Sequence, residues 1–149
     1  MARKSPIESA RKDADRTLSL KRVLVVEDDA ILSMLIESEL RAHGVDDVVV
    51  CPSIAATMEE LERAAADALV LDVHLSDRDD GYAVAELVSL LGPKSPRIVF
   101  STGAPDDIPP DIAELGPVLA KPYDPEDLIA ALDSKARPGV FARLRSKLG

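Results

Sequence analysis

The chain contains few residues of the kinds that crosslink a protein, hold soft metals or cross a membrane. Its 149 residues include one cysteine, no tryptophan, two tyrosines and two phenylalanines. A single cysteine forms no internal disulfide and provides no cysteine-based metal site. Because no apolar run approaches the roughly 20 residues of a membrane span, we expect a soluble protein with an aliphatic core. The length fits one domain with tails.

The beginning of the chain also lacks a targeting signal. Residues 1–6 include basic side chains, but no hydrophobic segment of the signal-peptide type follows them. The sequence therefore predicts a cytoplasmic protein. Cys51 ends a valine-rich run and is interpreted as a small core residue.

Positive charge is scarce in the central part of the chain. Residues 1–22 carry seven basic and three acidic side chains, residues 23–132 carry six and 23, and residues 133–149 carry five and one. The central part is thus strongly acidic and would repel the phosphates of a nucleic acid, so we expect no direct nucleic-acid binding by it. The basic tails leave open a contact with a membrane surface, a nucleic acid or an acidic partner, although solvated tails are the simpler interpretation.

What the chain does contain is a repeat of short apolar runs, each followed by a longer amphipathic stretch. This alternation predicts a parallel sheet covered by helices on both faces. Residues 1–20 precede the repeat and have no sustained period, which predicts a disordered or weakly helical extension. The predicted strands are 23–26, 48–51, 68–73, 97–101 and 117–120.

The first two predicted helices have sequence signals at their ends. The first is expected to follow Asp29 as N-cap and to end at His43 and Gly44, a left-handed stop. The second is expected to follow Ser53 as N-cap. Their predicted buried stripes are Leu32, Leu35, Ile36 and Leu40 in the first, and Ile54, Met58, Leu61 and Ala65 in the second.

The later helices are less uniform. Prolines at 105, 109 and 110 confine a fourth helix to about residues 111–115, because proline donates no backbone hydrogen bond. Asp124 and Pro125 signal the start of a last helix, and residues 140–148 fit one more short helix in the basic tail. The third helix is predicted to bury Val84, Leu87, Val88 and Leu91 before Gly92-Pro93.

Charged residues stand where three of the predicted strands end. Glu27 and Asp28 follow the first strand, Asp72 ends the third, and Lys121 follows the fifth. Parallel strands place their carboxyl ends at one edge of the sheet, so these side chains are expected to meet in one pocket. Clustered carboxylates repel each other and predict a divalent cation, while the lysine predicts an anionic group beside it. Magnesium with a phosphoryl group satisfies both requirements.

Residues 23–132 resemble the receiver domain of two-component response regulators in the joint pattern of these acids, a threonine after the fourth strand and Lys-Pro after the fifth. The resemblance implies an α/β, flavodoxin-like (βα)5 fold: a doubly wound, five-stranded parallel sheet of order 2-1-3-4-5 with a short or irregular fourth helix. It implies a flexible extension at 1–20, a receiver domain at 21–133 and a basic tail at 134–149.

The resemblance also implies a role for each site residue. Asp72 would be the phosphoacceptor, with Thr102 and Lys121 binding the phosphoryl oxygens. Mg²⁺ would be bound by Asp28 and Asp72 directly, by Glu27 through water, and by the backbone carbonyl of His74. The bond between Lys121 and Pro122 is often cis in this family.

Several residues depart from the usual receiver pattern. Ser76 stands where proline is usual, in a loop to Gly81 that is about one residue longer than usual, and Val118 replaces the customary aromatic three residues before the lysine. Residues 100–103, Phe-Ser-Thr-Gly, resemble a subgroup with a Phe-x-Thr-Gly motif, in which loop 103–116 would be the moving part. Tyr123 is interpreted as a packing residue.

The resulting hypothesis is a single-domain response regulator that takes a phosphoryl group from a histidine kinase or histidine phosphotransfer protein. It would signal by phosphorylation-dependent protein binding or act as a phosphate sink, and would catalyse only its own phosphorylation and dephosphorylation. The alternative is a receiver-like interaction module that is not phosphorylated. A hydrolase acting through an aspartyl-phosphate is disfavoured, because His74 stands where its second acid is expected. Dimerisation and the downstream partner are left open.

Overall fold

Five parallel strands form one sheet in the computed structural model, which describes residues 17–74, 81–90, 92 and 95–133. Their spatial order is β2-β1-β3-β4-β5. The predicted fold class and strand order are therefore confirmed. The strands are β1 (Arg22–Val26), β2 (Asp47–Cys51), β3 (Ala68–Leu71), β4 (Arg97–Thr102) and β5 (Val118–Ala120).

Helices cover both faces of this sheet, as a doubly wound fold requires. Within the described residues they are α1 (Ala30–Ala42), α2 (Ile54–Arg63), α3 (Gly81–Ser89), α4 (Pro110–Ala113) and α5 (Pro125–Asp133), with a 3-10 turn at Pro105–Asp107. Helices α1 and α5 pack on one face and α2, α3 and α4 on the other. Strands β1 and β3 are buried along their whole length because they have helices above and below.

The predicted N-caps of α1 and α2 and the predicted end of α1 are present in the structure. The Asp29 carboxylate accepts hydrogen bonds from the Ile31 and Leu32 N–H groups at 3.0 Å each, and the Ser53 hydroxyl accepts one from the Ala56 N–H at 3.1 Å. Helix α1 ends at His43, and Gly44 follows with φ of +95°, a conformation that favours glycine. These local signals were readable because caps depend on neighbours in sequence.

The predicted buried stripes were wrong at three positions. Leu35 is 62% exposed and Leu87 is 45% exposed. Helix α1 instead buries Ser33, Ile36 and Leu40, so it is rotated relative to the expected stripe. Ala65 is exposed because α2 ends before it.

The fourth helix is short, as predicted from its prolines. Helix α4 has four residues, and the 3-10 turn before it has three. Both begin at a proline, whose missing N–H is not needed in the first turn.

The first described residues already belong to the domain. Leu18, placed by sequence in the extension, is 4% exposed and joins the core beside α1, and its N–H donates to the His43 carbonyl at 2.8 Å. The predictions for residues 1–16, for Ser76 and its loop, for Leu91 and for the tail at 134–149 lie outside the described residues.

Candidate functional site

The candidate site lies at the carboxyl edge of the sheet. Strands β1 and β3 are neighbours with Val26 paired to Leu71, so Glu27 and Asp72 are the next residues on adjacent strands. The Asp72 N–H donates to the Val26 carbonyl at 2.9 Å, which holds the start of the loop after β3 against β1. Parallel register therefore brings together acids that are 45 positions apart in the chain.

Lys121 contacts both of these acids. Its N–H donates to the Thr102 carbonyl at 2.7 Å, which fixes the backbone after β5 against β4. Its Nζ lies 3.2 and 3.1 Å from the two Glu27 carboxylate oxygens and 3.3 Å from Asp72 Oδ2. The lysine and the two acids thus meet as the strand-end pattern predicts. The peptide bond from Lys121 to Pro122 is cis, as the sequence resemblance implies.

Three carboxylates converge around this point. One oxygen from each of Glu27, Asp28 and Asp72 lies within 4.8 Å of the others. Glu27 and Asp72 are buried, whereas Asp28 is exposed. Hard oxygen ligands with an open, solvated side suit Mg²⁺, which usually keeps several of its waters. The donor set present here therefore fits a magnesium ion.

The electrostatics of the site show an excess of negative charge. Burial, together with the neighbouring Asp72 charge, raises the pKa of Glu27 to about 7 from its ordinary 4.5, although Lys121 acts in the opposite direction. Burial by itself would lower the pKa of Lys121, but the hydrogen bond to Glu27 and the two acidic charges outweigh it and raise that pKa. One lysine does not compensate the acids fully, so a divalent cation would be stabilised here.

Asp72 presents its two carboxylate oxygens to different groups. Oδ1 accepts a hydrogen bond from the His74 N–H at 2.9 Å, while Oδ2 faces Lys121. The His74 side chain is exposed, with its ring in edge contact with Tyr82 at 6.4 Å. The role of the His74 carbonyl as a metal ligand stays a prediction.

Thr102 ends β4, the strand between Asp72 and Lys121 in the sheet. It is fully buried, and its hydroxyl oxygen accepts a hydrogen bond from the Ala104 N–H at 3.0 Å. Since this oxygen acts as an acceptor, the hydroxyl proton is available for donation to another group. Val118, on the neighbouring strand, is a core residue that is 7% exposed.

The sequence reasoning missed a polar contact behind the site. The hydroxyls of Ser101 and Tyr123 are 2.9 Å apart, and Tyr123 also packs on the core beside α1 and α5, in line with its predicted packing role. Burial raises the pKa of Tyr123, although the hydrogen bond to Ser101 lowers it. The available signal was Ser101 itself, a polar residue directly after the apolar run 98–100 of β4.

Fold and site together define a doubly wound α/β protein with three carboxylates and a lysine gathered at the carboxyl edge of its sheet. Residues 23–133 match the family model of the response regulator receiver domain. The chain belongs to this family, whose members are signalling modules of two-component systems.

Two solved receiver structures are similar in sequence as well as in fold. SdrG from Sphingomonas melonis Fr1 is 28% identical, with a TM-score of 0.65 over 76% of this chain and 93% of SdrG. A CheY-like receiver domain from Methylobacillus flagellatus is 26% identical, with a TM-score of 0.63 over 77% of this chain and 94% of its own.

A curated relative extends beyond the shared region. The transcriptional regulatory protein PdtaR of Mycobacterium tuberculosis is 28% identical over 123 residues, which cover 81% of this chain and 58% of PdtaR. The chain thus matches little more than half of that relative. In the part of the chain that the structure describes, no helix is both long and apolar enough to span a membrane.

Proposed function

We propose that this receiver domain accepts a phosphoryl group on Asp72 from a histidine kinase or histidine phosphotransfer protein, in a Mg²⁺-dependent reaction, as a single-domain cytoplasmic response regulator. The observation that carries the proposal is the position of Asp72 Oδ2, which lies 3.3 Å from Lys121 Nζ and beside the Glu27 and Asp28 carboxylates. A nucleophilic acid, a cation site and a fixed amine are what aspartyl phosphorylation requires.

In the proposed reaction, a carboxylate oxygen of Asp72 attacks the phosphorus of the phosphohistidine in line. The new O–P bond forms as the P–N bond breaks, and its electron pair returns to the imidazole of the donor, which takes up a proton from solvent. Lys121 neutralises charge on a phosphoryl oxygen as a point charge. Asp28, Asp72 and the His74 carbonyl, with Glu27 acting through water, would hold Mg²⁺, which would supply further neutralisation of the equatorial oxygens.

Phosphorylation would change which partners the site residues have. In an aspartyl phosphate, a phosphoryl group with a charge of about −1.5 to −2 replaces the single carboxylate charge of Asp72, and this group competes with Glu27 for Lys121. The Thr102 hydroxyl would turn its proton toward the phosphate. Because the segment after Thr102 contains only a 3-10 turn and the four-residue α4, we propose loop 103–116 as the moving part, as in the Phe-x-Thr-Gly subgroup.

Two outputs are compatible with this switch. The rearranged loop would bind a downstream protein, or the domain would drain phosphoryl groups from its donor as a phosphate sink. In either case Asp72 is regenerated by hydrolysis of its own acyl phosphate, and no external substrate is turned over.

The test is incubation with Mg²⁺ and acetyl phosphate followed by intact-mass measurement. We expect the wild type to gain the mass of one PO₃H group and the Asp72→Asn variant to gain nothing. The matched control is Asp29→Asn, which removes a nearby acid but retains a good N-cap and should be phosphorylated normally. No adduct in the wild type with small-molecule or protein donors would favour the unphosphorylated interaction module, and an adduct in Asp72→Asn would place the acceptor elsewhere.

Lys121 is tested by the rate of phosphorylation. We expect Lys121→Ala to slow acquisition by a factor on the order of 100, because the charge of the transition state loses a positioned partner. Circular dichroism of the variant checks that it remains folded. Unchanged kinetics would remove Lys121 from the mechanism.

A further inference from the structure

Helix α1 has an outward face that is apolar. Ile31, Met34 and Leu35 are 74%, 69% and 62% exposed, and their i, i+3 and i+4 spacing places them side by side. Among the described residues, the other large apolar side chains with such exposure are Leu87 and Leu90, on the opposite side of the sheet. We call Ile31, Met34 and Leu35 the α1 patch. A contiguous patch of this kind is typical of an interaction surface.

An acidic groove runs alongside the α1 patch. Glu39 lies one helical turn after Leu35 and lines, with Asp124, Pro125 and Glu126, a surface pocket of about 410 Å³ between α1 and the start of α5. The surface next to the apolar side chains is therefore negative. It would repel the phosphates of lipids or nucleic acids and attract a basic amphipathic peptide.

The sequence of this same chain contains such a peptide. Residues 134–149 include five basic and no acidic side chains. Phe141, Leu144 and Leu148 have the spacing of one helical face, and Arg143, Arg145 and Lys147 stand between or beside them. This segment matches the α1 patch and the groove in both apolar and charged character.

The point where the described chain ends makes this contact reachable. Helix α5 packs beside α1 and ends at the amino edge of the sheet, where the Arg97 guanidinium donates to the Leu132 carbonyl. The rise from Ala42 back to Ile31 along α1 is about 16 Å, and the six residues 134–139 can span up to about 20 Å. Residues 140–148 can thus reach the α1 patch from the end of α5.

We propose that residues 140–148 dock on the α1 patch of their own domain, with their basic side chains facing Glu39, Asp124 and Glu126. Ile31 lies three residues after Asp28, so the docked segment would border the acidic pocket.

The test is paramagnetic relaxation in the full chain. A nitroxide is attached to the Ser146→Cys variant, in which the native Cys51, at 1% exposure, is protected by burial. Docking is expected to broaden the methyl signals of Ile31, Met34 and Leu35 and to leave those of Leu87 and Leu90 sharp. Raising the salt from about 0.1 M to about 1 M should reduce the broadening, because charge attraction is screened.

Two further variants separate docking from general effects. Leu35→Asp should abolish the broadening at Ile31 and Met34, whereas Leu90→Asp, the matched control at a leucine that is also exposed (80%), should not change it. Absence of broadening at the α1 patch, equal broadening at Leu87 and Leu90, or persistence in Leu35→Asp would overturn the proposal. Broadening seen only between spin-labelled and isotope-labelled copies in a mixture would overturn the intramolecular form and indicate a second copy as occupant.

The readout does not depend on phosphorylation. The Leu35→Asp and Leu90→Asp variants are also incubated with Mg²⁺ and acetyl phosphate. Both should acquire phosphate at the wild-type rate, since neither Leu35 nor Leu90 belongs to the proposed phosphorylation site. If no protein is phosphorylated but the broadening is present, the proposed function fails while the docking stands.

Discussion

Two cations paired with carboxylates lie at opposite edges of the same sheet, and they are built differently. Arg22, the first residue of β1, is 6% exposed and contacts Glu60 at 2.5 Å and Asp47 at 3.2 Å. Its guanidinium also donates to the Ala64 carbonyl at 2.5 Å. At the other edge, Lys121 is the amine that faces Glu27 and Asp72.

The balance of charge distinguishes the two clusters. At the amino edge, hydrogen bonds and charges from Arg63 and Arg22 lower the pKa of Glu60. At the carboxyl edge, burial and the Asp72 charge raise the pKa of Glu27 to about 7. A cluster that only supports the fold satisfies its charges, whereas a cluster with surplus acid is typical of a site that binds a cation.

Removal of Arg22 should have the largest effect on stability. Arg22→Met removes a buried guanidinium and its hydrogen bonds to Glu60, which retains Arg63, and to the Ala64 carbonyl, and we expect this to cost about 3 kcal/mol of unfolding free energy. Urea denaturation with circular dichroism measures this. Arg63→Met, which removes an exposed arginine from the same glutamate, is the control and should cost much less, because water screens an exposed ion pair. Equal losses of unfolding free energy in the two variants would show that the burial of Arg22 does not determine its contribution to stability.

Glu27 should make stability depend on pH. The folded state retains a proton on Glu27 between its ordinary pKa of 4.5 and its raised pKa of about 7. The unfolded state releases that proton earlier, so this residue lowers stability as pH rises through this window, by on the order of 1 to 3 kcal/mol.

Glu27→Gln should remove this contribution. We expect the variant to gain stability relative to wild type between about pH 5 and about pH 8 in metal-free buffer. Urea midpoints at each pH provide the measurement, and Glu59→Gln, an exposed glutamate on α2, serves as control. A constant difference between Glu27→Gln and wild type across this range would show that Glu27 is not perturbed.

Magnesium should stabilise the carboxyl edge and not the amino edge. At ten times its dissociation constant, Mg²⁺ should add about 1.4 kcal/mol to the unfolding free energy. Thermal unfolding at matched ionic strength tests this. Asp28→Asn should lose the gain and Asp29→Asn should keep it. A gain that survives in Asp28→Asn would place the cation elsewhere.

Loss of Lys121 should cost less stability than loss of Arg22. Lys121→Met removes a half-buried amine, but Glu27 can compensate by holding its proton. We therefore expect a cost of about 1 kcal/mol near neutral pH that decreases as the solution is made more acidic. Urea denaturation at two pH values measures it. A cost that equals that of Arg22→Met and does not vary with pH would make the two clusters equivalent.

Much of the fold and of the candidate site was predictable from local patterns. Asp29, Ser53 and Gly44 mark helix ends through contacts with residues close in sequence. Glu27, Asp72 and Lys121 could be assigned to one pocket because each follows a strand, and parallel strands end at the same edge. The predicted roles of these residues in phosphorylation are a separate matter and await the experiments above.

The sequence by itself determined the order of strands and helices, the helix caps and the residues that follow each strand. The tertiary structure alone decided the rotation of α1, which buries Ser33 and exposes Leu35, as well as the hydrogen bond between Ser101 and Tyr123 and the raised pKa of Glu27. The physical reason is the separation along the chain between the residues that interact. Caps and strand ends depend on near neighbours, whereas helix rotation and the desolvation of a carboxylate depend on side chains that only the assembled sheet brings together.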